Sequence, residues 1–190
     1  MNMPKSKIII FCAPSGSGKT TIAKKMQELF PVLCPSVSAT NRLPRVNEID
    51  GKDYHFISTE DFKKKIDSDE FVEWEEVYEN ILYGTLKSEI NRIQELEKIP
   101  LFDIDVKGAM NLKKMYGNSA LVIFIKVPFD LLKERLISRK TETKETFDKR
   151  INRVKEEMEF ENLADVVVTN INLQDAVNDC QKIINNFLKV

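Results

Sequence analysis

The sequence predicts an α/β protein in which helices cover both faces of a parallel sheet. Apolar runs of strand length alternate with helical patterns along most of the 190 residues. This alternation is typical of parallel strands that are joined by helical crossovers. A glycine-rich turn links the first apolar run to the first helix. Residues 38–86 interrupt the alternation with polar, turn-rich sequence, which predicts a small antiparallel unit inserted into the sheet protein.

The elements of the sheet protein can be placed from apolar periodicity. Strands are predicted at 8–12, 32–37, 100–104, 121–127 and 166–169, and helices at 20–30, 86–98, 109–115, 131–137 and 173–187. We expect the first helix to bury Ile22, Met26, Leu29 and Phe30. Within the insertion, a short helix begins at Thr59, with Ser58 or Thr59 as its N-cap, and residues 71–78 form a strand with one solvated face.

The composition is that of one soluble domain covering residues 1–190. Hydrophobic residues make up 42% and charged residues 31% of the chain, and the net charge is −1. This balance argues against nucleic acid and anionic membranes as partners. No signal peptide or membrane span is visible, so a cytoplasmic location is expected.

The cysteines and the histidine carry no predicted chemistry. Cys12, Cys34 and Cys180 are widely spaced and odd in number, which argues against a disulfide framework and a zinc site. Cys12 and Cys180 are expected to be buried, inert thiols. His55 is expected to be a half-buried strand residue without a functional role.

The turn at 13–20, with the sequence APSGSGKT, is the clearest motif of the chain. Gly16 and Gly18 allow backbone N–H groups to form an anion-binding nest, and the N-terminus of the following helix adds positive potential. Lys19 can reach terminal phosphates, and the Thr20 hydroxyl can bind Mg²⁺. Ala13 replaces the first glycine of the usual P-loop pattern, at a position that opens the turn and does not form the nest.

These features predict a nucleoside triphosphate site. A glycine turn that binds nothing is the alternative, and the flanking strand and helix argue against it. The predicted ATP-binding residues of this turn are Ala13, Pro14, Ser15, Gly16, Ser17, Gly18, Lys19, Thr20 and Thr21.

A second anion site is predicted in the insertion. Arg42 and Arg45 lie three residues apart around a proline, so their guanidinium groups can converge on one phosphate. Tyr54 and Tyr83 can donate phenolic hydrogen bonds to the same group. The alternatives are a solvated basic turn for the arginines and half-buried strand aromatics for the tyrosines.

An ordered series of motifs resembles those of guanylate kinases. It comprises SVSATNRLPR at 36–45, DGKDYHF at 50–56, FVEW at 71–74, YGT at 83–85, FDID at 102–105, RKTET at 139–143 and KR at 149–150. The resemblance implies Mg²⁺-dependent phosphoryl transfer from ATP to GMP or dGMP. It also implies a P-loop core (about 1–37, 87–136 and 156–190), a GMP-binding insertion (about 38–86) and a helical lid (about 137–155).

The resemblance assigns a guanine-binding role to Glu73. One carboxylate can accept the N1–H and 2-amino donors of guanine together, whereas adenine would leave it unpaired, and such a site rejects the wrong base by roughly 10⁴-fold. By spacing alone, Glu73 is one of several acids on the solvated face of its strand. The full GMP-binding set implied by the resemblance is Ser38, Arg42, Arg45, Tyr54, Glu73, Tyr83, Gly84, Thr85 and Asp103.

The resemblance also implies which residues serve the transfer. The catalytic set is Lys19, Arg42, Arg135, Arg139 and Arg150, and Arg139 and Asn170 are added to the ATP site. Asp103 and Asp105 are expected to face waters of the Mg²⁺ that Thr20 binds. The lid arginines could instead form a charged helix surface paired with glutamates at 134, 142, 145, 156 and 157, and Asn170 could simply be a turn residue.

Two rival functions remain, and a third, that of a GTPase, lacks one of its motifs. Residues 105–108 spell the D-x-x-G of a GTPase switch, but no N-K-x-D motif follows. A kinase for another nucleoside monophosphate differs only in its acceptor base. A non-enzymatic binding module related to guanylate kinases tends to lose groups that are present here, namely Lys19, Arg139 and Arg150. Lys140 and Ile171 depart from the family pattern near the adenine contacts, and the sequence does not specify the oligomeric state.

Overall fold

The computed structural model describes residues 7–138 and 144–189, except for the side chains of Tyr78, Ser138 and residues 144–150. The strands are β1 (Ile8–Cys12), β2 (Leu33–Pro35), β3 (Ala39–Thr40), β4 (His55–Phe56), β5 (Phe71–Tyr78), β6 (Ile81–Leu86), β7 (Ile99–Ile104), β8 (Ala120–Lys126) and β9 (Val166–Thr169). The α-helices are α1 (Lys19–Leu29), α2 (Thr59–Asp67), α3 (Lys87–Glu95), α4 (Val106–Tyr116), α5 (Phe129–Ser138), α6 (Lys144–Met158) and α7 (Leu173–Leu188).

The main sheet has the strand order β2-β7-β1-β8-β9, and every pair in it is parallel. Its central strand, β1, is fully buried and alternates between two cores. Ile9 and Phe11 pack against α1 and α7, whereas Ile8, Ile10 and Cys12 pack against α3 and α4. The predicted parallel sheet with helices on both faces is therefore confirmed.

The insertion forms a second sheet with the order β4-β3-β6-β5. β6 pairs antiparallel with both β3 and β5, but β3 and β4 are parallel. The prediction of a small antiparallel unit holds for two pairings and was wrong for the third, because residues 41–54 lead the chain back to the end of the sheet where β3 began. α2 covers this sheet through Phe62, which stacks on Phe71 at 4.4 Å between ring centroids. Ser58 caps α2 by accepting from the Asp61 N–H.

Helix ends explain the differences from the predicted core. Leu29 is 44% exposed, because α1 ends there and the extended Phe30 turns into the core in its place. The helix predicted to reach residue 98 ends at Glu95, and Glu97 adopts a left-handed φ of 54°. Leu173, at the first turn of α7, is likewise exposed, whereas Val177, Cys180 and Ile184 are buried.

The predicted inert residues are in the expected surroundings. All three cysteines are free and buried, and burial raises the pKa of the Cys12 and Cys180 thiols to about 12. His55 is half-buried in β4. Within residues 7–138 and 144–189, no helix combines the length and the apolar character of a membrane span.

Candidate active site

A cleft of about 330 Å³ lies between the carboxyl end of the main sheet and the inserted sheet. The turn at 13–21 forms one wall. Most of the predicted site residues of the inserted sheet form the opposite wall, and the end of β7 closes the floor. The lining residues from these last two regions are Ser38, Arg42, Arg45, Tyr54, Glu73, Val77, Tyr83, Gly84, Asp103, Ile104 and Asp105.

The turn has the geometry that an anion nest requires. Gly16 and Gly18 have left-handed φ values of 89° and 84°, and α1 begins directly after Gly18. The Ser17 N–H donates to the Pro14 carbonyl at 3.2 Å. Ala13 is 5% exposed and fits the first position of the turn without a glycine. Thr20 and Thr21 are exposed at the start of α1.

Asn170 lies beneath the turn and not in the cleft. It is 3% exposed, and its Nδ2 donates to the Ser17 carbonyl at 2.7 Å. The same Nδ2 would lie 2.6 Å from a Cβ at Gly18, so residue 18 must lack a side chain. Arg135 of α5 donates to the Asn170 carbonyl at 3.2 Å. Neither residue lines the cleft, and their roles toward ATP stay predictions.

The floor of the cleft brings a cation and two carboxylates together. Lys19 Nζ is hydrogen-bonded to the Asp103 carboxylate. Asp105 caps α4, because its Oδ1 accepts from the Gly108 N–H at 2.9 Å. Burial lowers the pKa of Lys19 to about 8, and the charges of Cys12, Asp105 and Glu157 act in the opposite direction. The structural role of Asp105 as a cap was not predicted.

Arg42 is held by an acid that was not predicted from the sequence. Its Nη1 and Nη2 donate to the two oxygens of Glu48 at 2.6 and 2.7 Å, and its Nε donates to Tyr83 Oη at 2.9 Å. The guanidinium lies over the Tyr54 ring, 4.9 Å from its centroid. Glu48 also accepts from the Arg45 N–H at 2.7 Å. The bond to Arg42 is the main reason why the pKa of Glu48 falls to about 2.

Glu73 is a buried acid, not one of the solvated acids of β5. It is 8% exposed, whereas Glu70 and Glu76 are exposed. Thr85 Oγ1 donates to Glu73 Oε1 at 2.7 Å, and Ser38 Oγ lies 3.4 Å from Thr85 Oγ1. Thr85 is fully buried and thus lies behind Glu73, without lining the cleft itself. Burial raises the pKa of Glu73 to about 7.

A pair on α6 completes the cleft; Glu157 was considered there only as a partner of the lid arginines, and Arg153 was not predicted. Arg153 Nη1 donates to the Val77 carbonyl of β5, and Arg153 Nε donates to Glu157 Oε1 at 2.6 Å. The Ser15 N–H donates in turn to the Glu157 carboxylate. Burial raises the pKa of Glu157. α6 therefore contacts both walls of the cleft.

Two of the predicted catalytic arginines cannot be compared with this geometry. Arg139 lies outside the described residues, and of Arg150, which belongs to α6, the structure describes no side chain. The proposed pairing of lid arginines with glutamates thus stays open for both. Among the described side chains of α6, Arg153 pairs with Glu157. A positively charged residue one helical turn before Glu157 is the sequence signal that could have identified it.

The chain is similar to known proteins over nearly its whole length. The guanylate kinase family model matches residues 5–187. A guanylate kinase from Salinibacter ruber is 45% identical over 187 residues, which cover 98% of this chain and 99% of that protein.

Solved structures show the same likeness. The crystal structure of a guanylate kinase from Anaplasma phagocytophilum has a TM-score of 0.78 at 25% identity, with 95% of this chain and 85% of that chain covered. A shikimate kinase from Bacteroides thetaiotaomicron has a TM-score of 0.53 at 13% identity, covers 97% of this chain and 99% of its own, and shows a likeness of fold alone. The chain belongs to the guanylate kinase family.

Proposed function

We propose that this protein transfers the γ-phosphoryl group of ATP to GMP and releases ADP and GDP. The observation that carries the proposal is the buried carboxylate of Glu73, which faces the same cleft as the P-loop turn. We infer the reaction from membership of the guanylate kinase family, and the two walls of the cleft provide a separate surface for each nucleotide. Residues 38–86 form the GMP-binding unit, residues 137–155 form the lid, and the remaining chain forms the ATP-binding core.

Glu73 selects the base. Thr85 occupies one of its oxygens and fixes the orientation of the carboxylate, so that both oxygens can accept from the adjacent N1–H and 2-amino groups of guanine. Ser38, next to Thr85, adds a hydroxyl at the same end of the pocket. Adenine has an acceptor at N1 and would leave a buried carboxylate unpaired, which is strongly unfavourable.

The GMP phosphate binds to Arg42, Arg45, Tyr54 and Tyr83. Four of the five N–H groups of Arg42 have partners in the protein, namely the two oxygens of Glu48, the Tyr83 hydroxyl and the Leu43 carbonyl. Arg42 therefore offers one N–H, and Arg45 supplies the larger share of the cationic contact. Gly84, between Tyr83 and Thr85, allows the backbone to approach Glu73.

ATP binds to the turn at 13–21, with its terminal phosphates near Lys19. Mg²⁺ fits the groups that are present, because it prefers oxygen ligands and keeps several of its waters. The exposed Thr20 hydroxyl would bind it directly, and Asp103 and Asp105 would contact its waters. The ion would neutralise charge on the β- and γ-phosphates.

Positioning and electrostatic stabilisation supply the catalysis, since phosphoryl transfer needs little covalent participation by the protein. Lys19 and Arg42, together with Arg135, Arg139 and Arg150, are proposed to stabilise the charge of the transferred group. Arg139 is proposed to contact ATP, whereas Asn170, which lies beneath the turn, would act on the ATP site through the Ser17 backbone. Closure of the GMP-binding unit and the lid over the cleft excludes water, which would otherwise compete with GMP as acceptor. The buried free thiols fit a cytoplasmic location.

A panel of acceptors tests the proposal. ADP release is measured in a coupled assay with ATP, Mg²⁺ and each of GMP, dGMP, AMP, CMP, UMP and dTMP. We expect kcat/KM for GMP to exceed that for AMP by roughly 10⁴-fold. Equal turnover of another monophosphate would assign the chain a different acceptor, and GMP binding without turnover would favour a non-enzymatic module.

Two variants test the ATP site and the GMP site separately. Lys19→Ala should lower kcat by orders of magnitude and leave the Kd for GMP nearly unchanged, because Lys19 acts on the ATP phosphates. Glu73→Gln should weaken GMP far more than ATP, since an amide presents one donor where guanine needs an acceptor. Parent-like kinetics in both variants would show that these residues are assigned wrongly.

A further inference from the structure

Gly108 lies against the carboxylate that selects guanine. It is in the first turn of α4, and a Cβ built on it would lie 2.7 Å from Glu73 Oε2 and 3.4 Å from Glu73 Cδ. Its φ is outside the left-handed region, so any residue could adopt this backbone conformation. Glycine in a helix costs stability relative to alanine. Neither the backbone nor helix stability therefore calls for a glycine here, whereas the space for Glu73 does.

Glu73 has little room in which to retreat from a side chain at residue 108. Its Oε1 is held by Thr85 at 2.7 Å, and the residue is 8% exposed. Ile104 Cδ1 would lie 3.4 Å from the same Cβ and closes another side. Glu73 lines the cleft. A side chain at residue 108 would therefore push Oε2 toward the cleft, where the base is proposed to bind.

The Gly108 backbone also leaves Oε2 available to a ligand. The Gly108 N–H, which points toward the start of α4, donates to Asp105 Oδ1 at 2.9 Å and so does not bond to Glu73. Because the Gly108 N–H bonds to Asp105, Glu73 Oε2 keeps its capacity to accept a hydrogen bond from the base.

We propose that Gly108 is a specificity-determining residue of the GMP site, because its missing side chain leaves the space that Glu73 Oε2 occupies. Residue 108 thus sets the direction of the carboxylate, and with it the match to the two adjacent guanine donors. The inference rests on the proposed function, since it concerns how Glu73 recognises guanine. Gly108 itself does not contact the base; it acts through Glu73.

Gly108→Ala tests the inference. A displacement of Oε2 by a few tenths of an ångström to 1 Å should raise the KM for GMP about 10- to 100-fold, with the KM for ATP unchanged. IMP, which lacks the 2-amino group and uses one acceptor oxygen, should be affected less, so that the preference for GMP over IMP falls. Lys114→Ala, an exposed position later on α4, serves as the control and should leave both values unchanged.

A double-mutant cycle separates the contact with Glu73 from other effects of the new methyl group. Glu73→Asp withdraws the carboxylate by one methylene, so adding Gly108→Ala to it should change the KM for GMP by less than twofold. If Gly108→Ala lowers Tm, the loss should also disappear in the Asp background. An equal cost in both backgrounds, or a KM for GMP within twofold of the parent in Gly108→Ala, would overturn the inference.

The activity of the parent protein separates a failure of the proposed function from a failure of the role of Gly108. Without GMP phosphorylation by the parent, the proposed function itself fails. With parent activity present, unchanged GMP and IMP kinetics in Gly108→Ala refute the role of Gly108 alone.

Discussion

Glu73 has a carboxyl group that is near its protonation midpoint at neutral pH. Burial is the main reason why its pKa is raised to about 7, and the charges of Asp105 and Glu75 act in the same direction. Hydrogen bonds from Thr85 oppose the shift. Guanine donors require the ionised form, so GMP binding must favour deprotonation of Glu73.

The affinity for GMP is therefore expected to depend on pH. Below about pH 7 the free protein carries a protonated Glu73 that must lose its proton on binding, and the KM for GMP should rise up to tenfold per pH unit. The KM for ATP should not follow this profile. Steady-state kinetics from pH 5.5 to 8 measure both. Glu73→Gln should remove this component, and an unchanged profile in that variant would assign the pH dependence to another group.

Glu48 is an anion within a proposed anion site, and its role can be tested by removing its charge. If Glu48 orients Arg42 and Arg45 toward the cleft, Glu48→Gln should raise the KM for GMP about tenfold, which is the loss of roughly one hydrogen bond to a charged group. Competition with guanosine, which has no phosphate, should not change. Glu60→Gln, on the exposed surface of α2, is the control. A lower KM for GMP would show instead that Glu48 competes with the phosphate.

At the scale of residues, chemistry that is local in sequence could be predicted, whereas the burial of individual acids could not. The Gly16–Gly18 nest follows from steric rules, and the two arginines of the insertion follow from their spacing. Glu73 could be singled out only through the family resemblance, because alternation in β5 does not reveal which acid is covered by α4. Glu48 was missed because the polar loop that follows β3 contains several acids, and its sequence does not indicate which one folds back onto Arg42.

At the scale of elements, the parallel core was the more predictable part. Buried strands such as β1 and β8 are continuous apolar runs, and the predicted bounds differ from the observed ones by a residue or so. Helix ends were less predictable. Leu29 and Leu96 continue the apolar periodicity of their helices, but α1 ends at Leu29 and α3 ends at Glu95. The parallel pairing of β3 with β4 depends on the path of a loop, which short-range patterns do not encode.

α6 connects the two walls of the cleft through Arg153, which contacts the Val77 carbonyl of β5 and Glu157 beside Ser15. We expect Arg153→Ala to lower kcat/KM by about tenfold for both substrates, because the inserted sheet and the P-loop turn lose a shared support. Kinetics with GMP and ATP varied in turn measure the effect. Lys155→Ala removes an exposed cation from the same helix and should have little effect. A loss confined to one substrate would contradict a shared support.

At the scale of the whole molecule, buried ionisable groups are concentrated around the cleft between two sheets that have separate hydrophobic cores. Glu73, Glu157 and Lys19 all lie in or beside it, and burial disfavours the charged form of each. The stability of the fold is supplied elsewhere, by the cores on both faces of the main sheet. An arrangement of this kind makes the free protein less stable than its cores alone would allow, and nucleotides that pair with these groups should stabilise it.

Glu73→Gln should therefore stabilise the free protein while it impairs GMP binding. A carboxyl whose folded pKa is raised from 4.5 to about 7 destabilises the folded state at pH values above 4.5, and the penalty reaches its full size above pH 7. At 1.36 kcal/mol per pKa unit, the upper bound on the gain in the free energy of unfolding is about 3 kcal/mol. We expect ~1–3 kcal/mol, because Gln keeps only part of the Thr85 hydrogen bonding.

Urea unfolding of the parent and of Glu73→Gln at pH 8 and pH 5 measures the difference. The advantage of Gln should be largest at pH 8 and shrink toward pH 5. A variant that is less stable than the parent at pH 8 would mean that the hydrogen bonds from Thr85 outweigh the cost of burying the charge.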